Sequence, residues 1–421
     1  MADLGPTAPL LTNDAAVLGL LLATLGIIFA TASSSRPGWQ RFYRVVPSLL
    51  LCYFVPSLYA TFGLIDGEAS RLYFVASRYL LPATLVLLTL SIDFHAIMRL
   101  GPKALVMFLT GTAGIILGGP LAVIIVATVS PETVGGAGPD AIWRGLSTIA
   151  GSWIGGGANQ AAMKEVFAVS DGVFATMIAV DILIANLWLA VLLYFAPHAA
   201  TIDRRTGART EAIDELRERV AAFRARHARI PTLPDLMLIL AIGFGVMGLS
   251  HALADPLSTW IAEHHPALER LSLTSSFFWL VVFATTGGLL LSFTPARTLE
   301  GAGASTVGSA MLYVLIATIG MSMDLRAVIE RPGLFAVGAI WIACHAGLLL
   351  IVGRLIRAPF FFLAVGSQAN VGGAASAPIV ASAFHPALAP VGVLLAVLGY
   401  AIGTYGAWLA AQLMRLVAPV T

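Results

Sequence analysis

About twelve apolar stretches, each close to the roughly 20 residues that one helical crossing of a bilayer takes, follow one another along this chain. They cover Ala15 to Ala30 and then, at about, residues 45–64, 76–92, 104–128, 142–168, 173–196, 234–253, 275–293, 306–323, 333–353, 359–383 and 390–414. Backbone groups inside lipid have no water to bond, so a succession of such runs permits only an all-α, multi-pass membrane fold. Composition agrees: 58% hydrophobic against 11% charged residues, with mean hydropathy +0.89, is too apolar for a soluble surface. A net charge of +2 argues against a nucleic-acid partner, and the lipid bilayer is the first partner implied. Cys52 and Cys344 lie within apolar stretches at no metal-ligand spacing and read as small core residues. The leading "MADLGPTAPLLTNDAA" contains acids and no Lys or Arg, so the first run lacks the basic flank of a cleaved signal and reads as a retained helix.

The long polar interruption runs from Asp203 to Arg229, where eight arginines stand beside five acids. Ile213, Leu216, Val220 and Phe223 recur at helical spacing, with acids early and Arg224, Arg226 and His227 late, as the helix dipole favours. This reads as a basic amphipathic cytoplasmic linker, residues 201–232, between a first membrane repeat, 1–200, and a second, 233–421. The duplication rests on two landmarks in the same order. "LTLSIDFHAIMRLGPKALVMF" (Leu88 to Phe108) matches "ATIGMSMDLRAVIERPGLFAVG" (Ala317 to Gly338), with Ser91 and Asp93 opposite Ser322 and Asp324. Downstream, "GSWIGGGANQAAMKEVF" (Gly151 to Phe167) matches "GSQANVGGAASAPIVASAF" (Gly366 to Phe384), each followed by one last apolar helix. If all twelve stretches cross, the halves are parallel; if each glycine-rich segment dips in and returns, each half crosses about five times and the repeats are inverted. The basic residues Arg36, Arg41 and Arg44, directly after a first helix with none before it, favour the inverted arrangement with the N-terminus outside.

The three adjacent glycines of the first segment cost a helix roughly 0.8–1 kcal/mol each relative to Ala and predict a break, and the glycine cluster of the second makes it the matching one. A break in lipid is tolerated only when buried in protein or lining a watery cavity, and a pair of breaks, one per half, points to a transporter site. The candidate substrate- or ion-binding residues are therefore Ser152, Gly155, Gly156, Gly157, Asn159 and Gln160 from the first segment. Ser367, Gln368, Asn370, Gly372, Gly373 and Ser376 are their counterparts in the second. Asp181 is the candidate coupling carboxylate for a sodium ion or a proton, since an ionisable group deep in an apolar helix is costly, and Asn186 lies a turn and a half beyond. Asn159, Asp181 and Asn370 form the candidate sodium site. Lys164 and Glu165 pair with each other or contact substrate. Asp93 and Asp324 cap helices or pair with Arg99 or Arg326, and His345 is a satisfied buried histidine. The glycine pairs Gly114/Gly118 and Gly399/Gly403 read as close helix contacts.

The segments "GSWIGGGANQAAMKE", "LEGAGAS", "ATIGMSMDL" and "FFLAVGSQANVGGAASAPIVASAF", with nearly all of the chain around them, resemble the YjcL-like family of multi-pass membrane proteins of unknown function. More remotely, the two-half plan is similar to the bile-acid/sodium symporters, the sodium/glutamate symporters and the cation/proton antiporters. That resemblance implies inverted repeats, a core domain holding the broken elements, a panel domain for homodimer contacts and ions bound near the breaks. The chain lacks the adjacent Asp-Asp pair of the antiporters, which disfavours proton/cation exchange. The expected function is secondary active transport of a small solute, coupled to sodium or protons, in a bacterial-type cytoplasmic membrane. The alternative is a passive channel or a sensory module. No HExxH, Walker A or GxSxG motif is present, so no enzyme, cofactor or bound metal beyond a coupling ion is expected.

Overall fold

The computed structural model describes residues 9–46, 48–67, 69–93, 97–98, 100–208, 230–271, 273–321, 331–385 and 388–419. The amphipathic run at 211–227, Arg99, Ser322, Asp324 and Arg326 lie outside them. The described residues form helices α1 (Asp14–Ala32), α2 (Pro37–Val45), α3 (Ser48–Thr61), α4 (Leu72–Leu90), α5 (Pro102–Ala127), α6 (Ile142–Val166) and α7 (Asp171–Phe195) in the first half. The second half has α8 (Leu233–His264), α9 (Ser276–Leu291), α10 (Ala304–Gly320), α11 (Gly333–Leu355), α12 (Phe360–Val371), α13 (Gly373–Phe384) and α14 (Ala389–Val417). Seven are long and apolar enough to span a membrane, and nine spans result if α2–α3 and α9 with its following 3-10 turn (Pro295–Ala302) each count as one bent span. Helix starts follow local chemistry: Asn13 accepts from Ala15 and Ala16, Ser170 caps α7, and Thr232 with Asp235 forms a reciprocal cap on α8.

The two glycine-rich segments do not cross. A straight helix as long as α6 would separate its ends by roughly 37 Å. Instead Ser170 donates to Asp140 at 2.5 Å, the Ser170 amide reaches the Pro139 carbonyl at 3.1 Å, and Arg144 bonds the Phe167 carbonyl. Gly156, at φ 72° and ψ −175°, makes the reversal in a region only glycine occupies at low cost. A Cβ on Gly151 would lie 2.6 Å from the Asn159 carbonyl oxygen, so the two arms lie backbone to backbone. The second segment does the same: α12 and α13 meet at Gly372–Gly373, with Gly373 at φ 57°, and the Phe384 ring packs against Phe360 and Phe361 at 6.0 and 5.3 Å. Both segments are re-entrant helical hairpins.

The hairpins open at opposite ends of the bundle. At the proximal end, where α1 begins, Asp14 bonds Ser70 just before α4; Lys164 meets Tyr73 of α4 and Asp171 of α7; and Arg415 of α14 stacks over Trp143. The first hairpin's mouth is there. At the distal end Asp203, on the helical continuation of α7, accepts from the Phe360 amide, and Lys103 at the start of α5 donates to the Arg357 carbonyl after α11. The second hairpin's mouth is there. Asp203 therefore supplies a capping acceptor for α12 from another part of the chain, so residues 201–206, at the start of the stretch read as linker, pack against the second hairpin.

The helices sort into two groups. The hairpins, α5, α7, α11 and α14 pack on one another, with α6 against α14 and α5 against α11 the most extensive contacts. Helices α1, α3, α4, α8, α9 and α10 form a second, flanking group, joined to the first mainly through α4 and α9 against α6 and α14. Lipid tails are as apolar as Leu, so close packing and hydrogen bonds hold such groups together rather than burial from water. The glycine faces show it: Cβ atoms on Gly114 and Gly118 would strike His345 and Trp341, and Gly403 meets Gly155 backbone to backbone. A Cβ on Gly399 would lie 2.4 Å from the Ile154 carbonyl oxygen and 3.9 Å from that of Ala369, so α14 is where the hairpins converge.

Candidate functional site

Each hairpin tip is held by an Asn that performs the same task. Asn159 donates to the Gly155 carbonyl four residues back at 2.9 Å and accepts from Thr404 of α14 at 2.7 Å. Asn370 donates to the Gly366 carbonyl four residues back at 2.9 Å and to the Phe108 carbonyl, and accepts from Thr112 of α5 at 2.8 Å. Both side chains are wholly buried. Asn159 ties down a carbonyl beside the reversal at Gly156, and Asn370 bridges a carbonyl inside α12 to one on α5, so each buried amide is satisfied at that depth. Their registers differ, because Asn159 follows its break and Asn370 precedes its own.

Around the first tip the polar groups form a connected set. Asp181 is 6% exposed; its two oxygens accept from the Trp153 indole at 2.6 Å and the Gln160 amide at 2.9 Å, with Ser152 beside it. Gln160 in turn accepts from Tyr53 of α3 at 3.4 Å, a bond between the two helix groups. Around the second tip, Trp188 donates to Ser367 and Ser367 lies 2.8 Å from His345 Nε2, while His345 Nδ1 meets the Gly111 carbonyl at 2.9 Å. The carbonyl can only accept, so Nδ1 carries the proton and Nε2 accepts from Ser367. His345 is thus a satisfied buried histidine. Gln368 clasps Ser376 across the second break at 2.7 Å, and its buried Oε1 has no partner among the described residues.

Several expectations change. Asn186 is exposed on the outer face of α7 and bonds its own Ile182 carbonyl, so it does not join the site. Asn159, Asp181 and Asn370 do not share a ligand set; each is engaged with different partners, and the sodium site drawn from those three is not assembled in this conformation. Lys164 and Glu165 neither pair with each other nor stand free. Tyr73 lies between them, its hydroxyl bonded to both, with Arg78 on Glu165 at 3.1 Å and Asp171 on Lys164 at 2.8 Å. This chain of five groups ties the first hairpin to α4 at the proximal end. Asp93 pairs with Arg297 at 2.7 Å. Gly155, Gly156 and Gly157 do form the first tip; Gly155 is packed on Gly403 while a Cβ on Gly157 would have only Leu312 and Ile316, at 3.9 Å, near it. Gly372 has no room for a Cβ beside Ser376 and Gln368, whereas Gly373 has open space.

The residues that sequence reading missed are the partners: Trp153, Tyr53, Thr404, Thr112, Trp188 and Tyr73. One had a legible signal, because Trp188 lies seven residues after Asp181, on the same helix face, so α7 contacts the first hairpin through one and the second through the other.

Fold and site together define an α-helical, multi-pass membrane protein built around two re-entrant hairpins. The chain belongs to the DUF819 family, described as protein of unknown function, whose model matches residues 19–417. It is also similar to the uncharacterized membrane protein YjcL of Bacillus subtilis (strain 168), with 25% identity over 367 residues, covering 83% of this chain and 85% of that protein.

Proposed function

We propose that the protein is a secondary active transporter of a small solute, built as two inverted repeats and coupled to a sodium ion or a proton. The observation that carries this reading is the pair of glycine-turned hairpins, entering from opposite ends, whose tips converge on Gly399. Breaks of this kind hold polar backbone at mid-depth, the feature a carrier needs to bind a solute out of reach of both surfaces. The division into two helix groups joined by limited contact supplies bodies that rock against one another. In that scheme the Arg78, Glu165, Tyr73, Lys164 and Asp171 chain closes the proximal end and must part for the site to open there. Asp181 is the coupling carboxylate: its partners are neutral donors, so its charge state is free to follow an ion. With Arg36 and Arg41 at the distal end, that end faces the cytoplasm and the N-terminus lies outside. The protein works in the cytoplasmic membrane, as a homodimer, and catalyses no covalent chemistry.

The test is counterflow in proteoliposomes, with solutes chosen by thermal stabilisation of the purified protein. A carrier preloaded with unlabelled solute concentrates labelled solute transiently. Downhill flux without counterflow would make the protein a channel and overturn the proposal.

A further inference from the structure

Helix α4 is not regular along its length. Over Ala76–Leu80 it widens into one π-turn, in which the Leu81 amide reaches back five residues to the Ala76 carbonyl. Pro82 accounts for the widening: it has no N–H to offer the Arg78 carbonyl four residues back, and its ring crowds that carbonyl out of the helix wall. The displaced carbonyl is taken up from another helix, by His251 Nε2 of α8 at 2.9 Å. A carbonyl can only accept, so Nε2 carries the proton. The two arms of α4 differ. On the distal side of the turn every residue from Leu81 to Leu90 is buried, Thr84 donates to the Gly308 carbonyl of α10, and a Cβ on Gly288 of α9 would strike the Val86 carbonyl. This arm is fixed in the flanking group. On the proximal side no residue of Leu72–Val75 is buried, and Tyr73 spans Glu165 and Lys164 of the first hairpin. Arg78, inside the turn, faces both ways: its carbonyl is held by α8, its guanidinium lies 4.4 Å over the Phe277 ring of α9, and Nη1 stands 3.1 Å from Glu165. That Nη1 is buried and makes no aligned hydrogen bond among the described residues, so the pair gives up little when it parts.

A π-turn that resolves into regular helix rotates the residues beyond it by roughly 100° and shifts them by roughly 1.5 Å, one residue's worth of winding. With the distal arm fixed, that rotation at Ala76–Leu80 carries Tyr73 off Glu165 and Lys164. Resting on the carrier reading above, we propose that the π-turn of α4 is the hinge of the proximal closure and that His251 is its latch. His251 is a positioning residue: by holding the Arg78 carbonyl it keeps the turn widened, and with it Tyr73 and Arg78 against the first hairpin. Without a donor at 251 the freed carbonyl is satisfied by water, which reaches it when the proximal end opens, so loss of the donor favours the open form. The competing explanation is that His251 only packs α8 on α4 through Tyr79, whose ring centroid lies 6.0 Å away. It accounts for the ring contact and leaves the bond to a proline-freed carbonyl unexplained.

The test uses the full-length protein in lipid nanodiscs, in a background free of Cys52 and Cys344, with spin labels on cysteines at Phe74 and Ala168, both exposed. Phe74 rides on the proximal arm of α4 and Ala168 lies in the turn after α6, so the distance distribution between the labels reads the closure without any solute. His251→Leu should enlarge the longer-distance population about threefold or more, the factor that one lost hydrogen bond supplies, and His251→Gln, whose amide donates in place of the ring, should restore the wild-type distribution. Pro82→Ala returns an N–H to the Arg78 carbonyl and lets the turn close to regular helix; it should lengthen the distance by itself and leave His251→Leu without further effect. A wild-type distribution in His251→Leu, or equal shifts in the leucine and glutamine variants, would overturn the latch; a lowered melting temperature with unchanged distances would make His251 a packing residue only. If His251→Leu does not fold, Pro82→Ala decides alone, and an unchanged distribution there overturns the hinge. Counterflow with distances that no variant moves would keep the carrier reading and strike the hinge. Moved distances without counterflow would keep the hinge and strike the carrier reading.

Discussion

Asp181→Ala against Asp181→Asn separates the two things this carboxylate does. Alanine leaves the Trp153 indole N–H and one Gln160 N–H buried without acceptors. Each orphaned group costs about 1–3 kcal/mol, so the pair costs about 2–6 kcal/mol before relaxation. Asparagine is different. Its carbonyl accepts from Trp153, and its NH2 would face the Gln160 NH2, but Gln160 can turn its amide over so that oxygen receives the new donor. The Gln160 nitrogen then faces the Tyr53 hydroxyl, which accepts as readily as it donates. The network closes again, so Asp181→Asn is expected to cost less than about 1.5 kcal/mol. A difference of about 2–4 kcal/mol, in a chain this long, corresponds to about 2–5 °C in apparent melting temperature. Thermal unfolding of both variants in the same detergent reads it directly. Equal melting temperatures would refute the account of Asp181 as the acceptor that holds Trp153 and Gln160 in place. Because the asparagine variant stays folded, its transport is informative: flux that still follows a sodium or proton gradient would remove Asp181 from coupling.

Other consequences are open to measurement. In a background free of Cys52 and Cys344, cysteines at Asp140 and Ser170 should cross-link, as should cysteines at Phe360 and Phe384. The first pair should react with an impermeant thiol reagent only from one side of the membrane and the second only from the other; reaction of both from the same side would disprove opposed hairpins. Gly399→Ala would place a Cβ 2.4 Å from the Ile154 carbonyl and should destabilise by about 1–3 kcal/mol, whereas Gly347→Ala, with nothing within 4 Å, should be neutral or stabilising. Matching melting curves for the two would contradict the backbone contact between α6 and α14. Tyr73→Phe removes the hydroxyl shared by Lys164 and Glu165, at a cost of about 1–3 kcal/mol, and should speed labelling of a Gly157→Cys variant from the proximal side. Unchanged labelling would mean that the tie does not control access.

Much of the architecture was legible before any coordinates. Apolar length marked the helices, and Gly-Ser with a glycine cluster marked both hairpins, because only glycine tolerates the reversal that Gly156 and Gly373 make. Less was legible of the site. Asn159 and Asn370 were recognisable as buried and polar, yet besides a carbonyl four residues back each bonds a threonine from the opposite half, a partner more than two hundred residues away. Asn186 misled because helical phase alone decided between the packed and the lipid side of α7, and its Ile182 carbonyl satisfies it on the outer one. Lys164 and Glu165 are adjacent in sequence, which on a helix points them apart, so Tyr73 comes between them.

The sequence by itself determined that the chain spans a membrane and where its two glycine-rich segments must break, since these follow from apolar length and from the conformational range of glycine. Whether the breaks cross or return was a tertiary matter. It depends on which backbones approach closely, and that was decided by Gly155 against Gly403, Gly399 against the Ile154 carbonyl, and the meeting of Asp140 with Ser170.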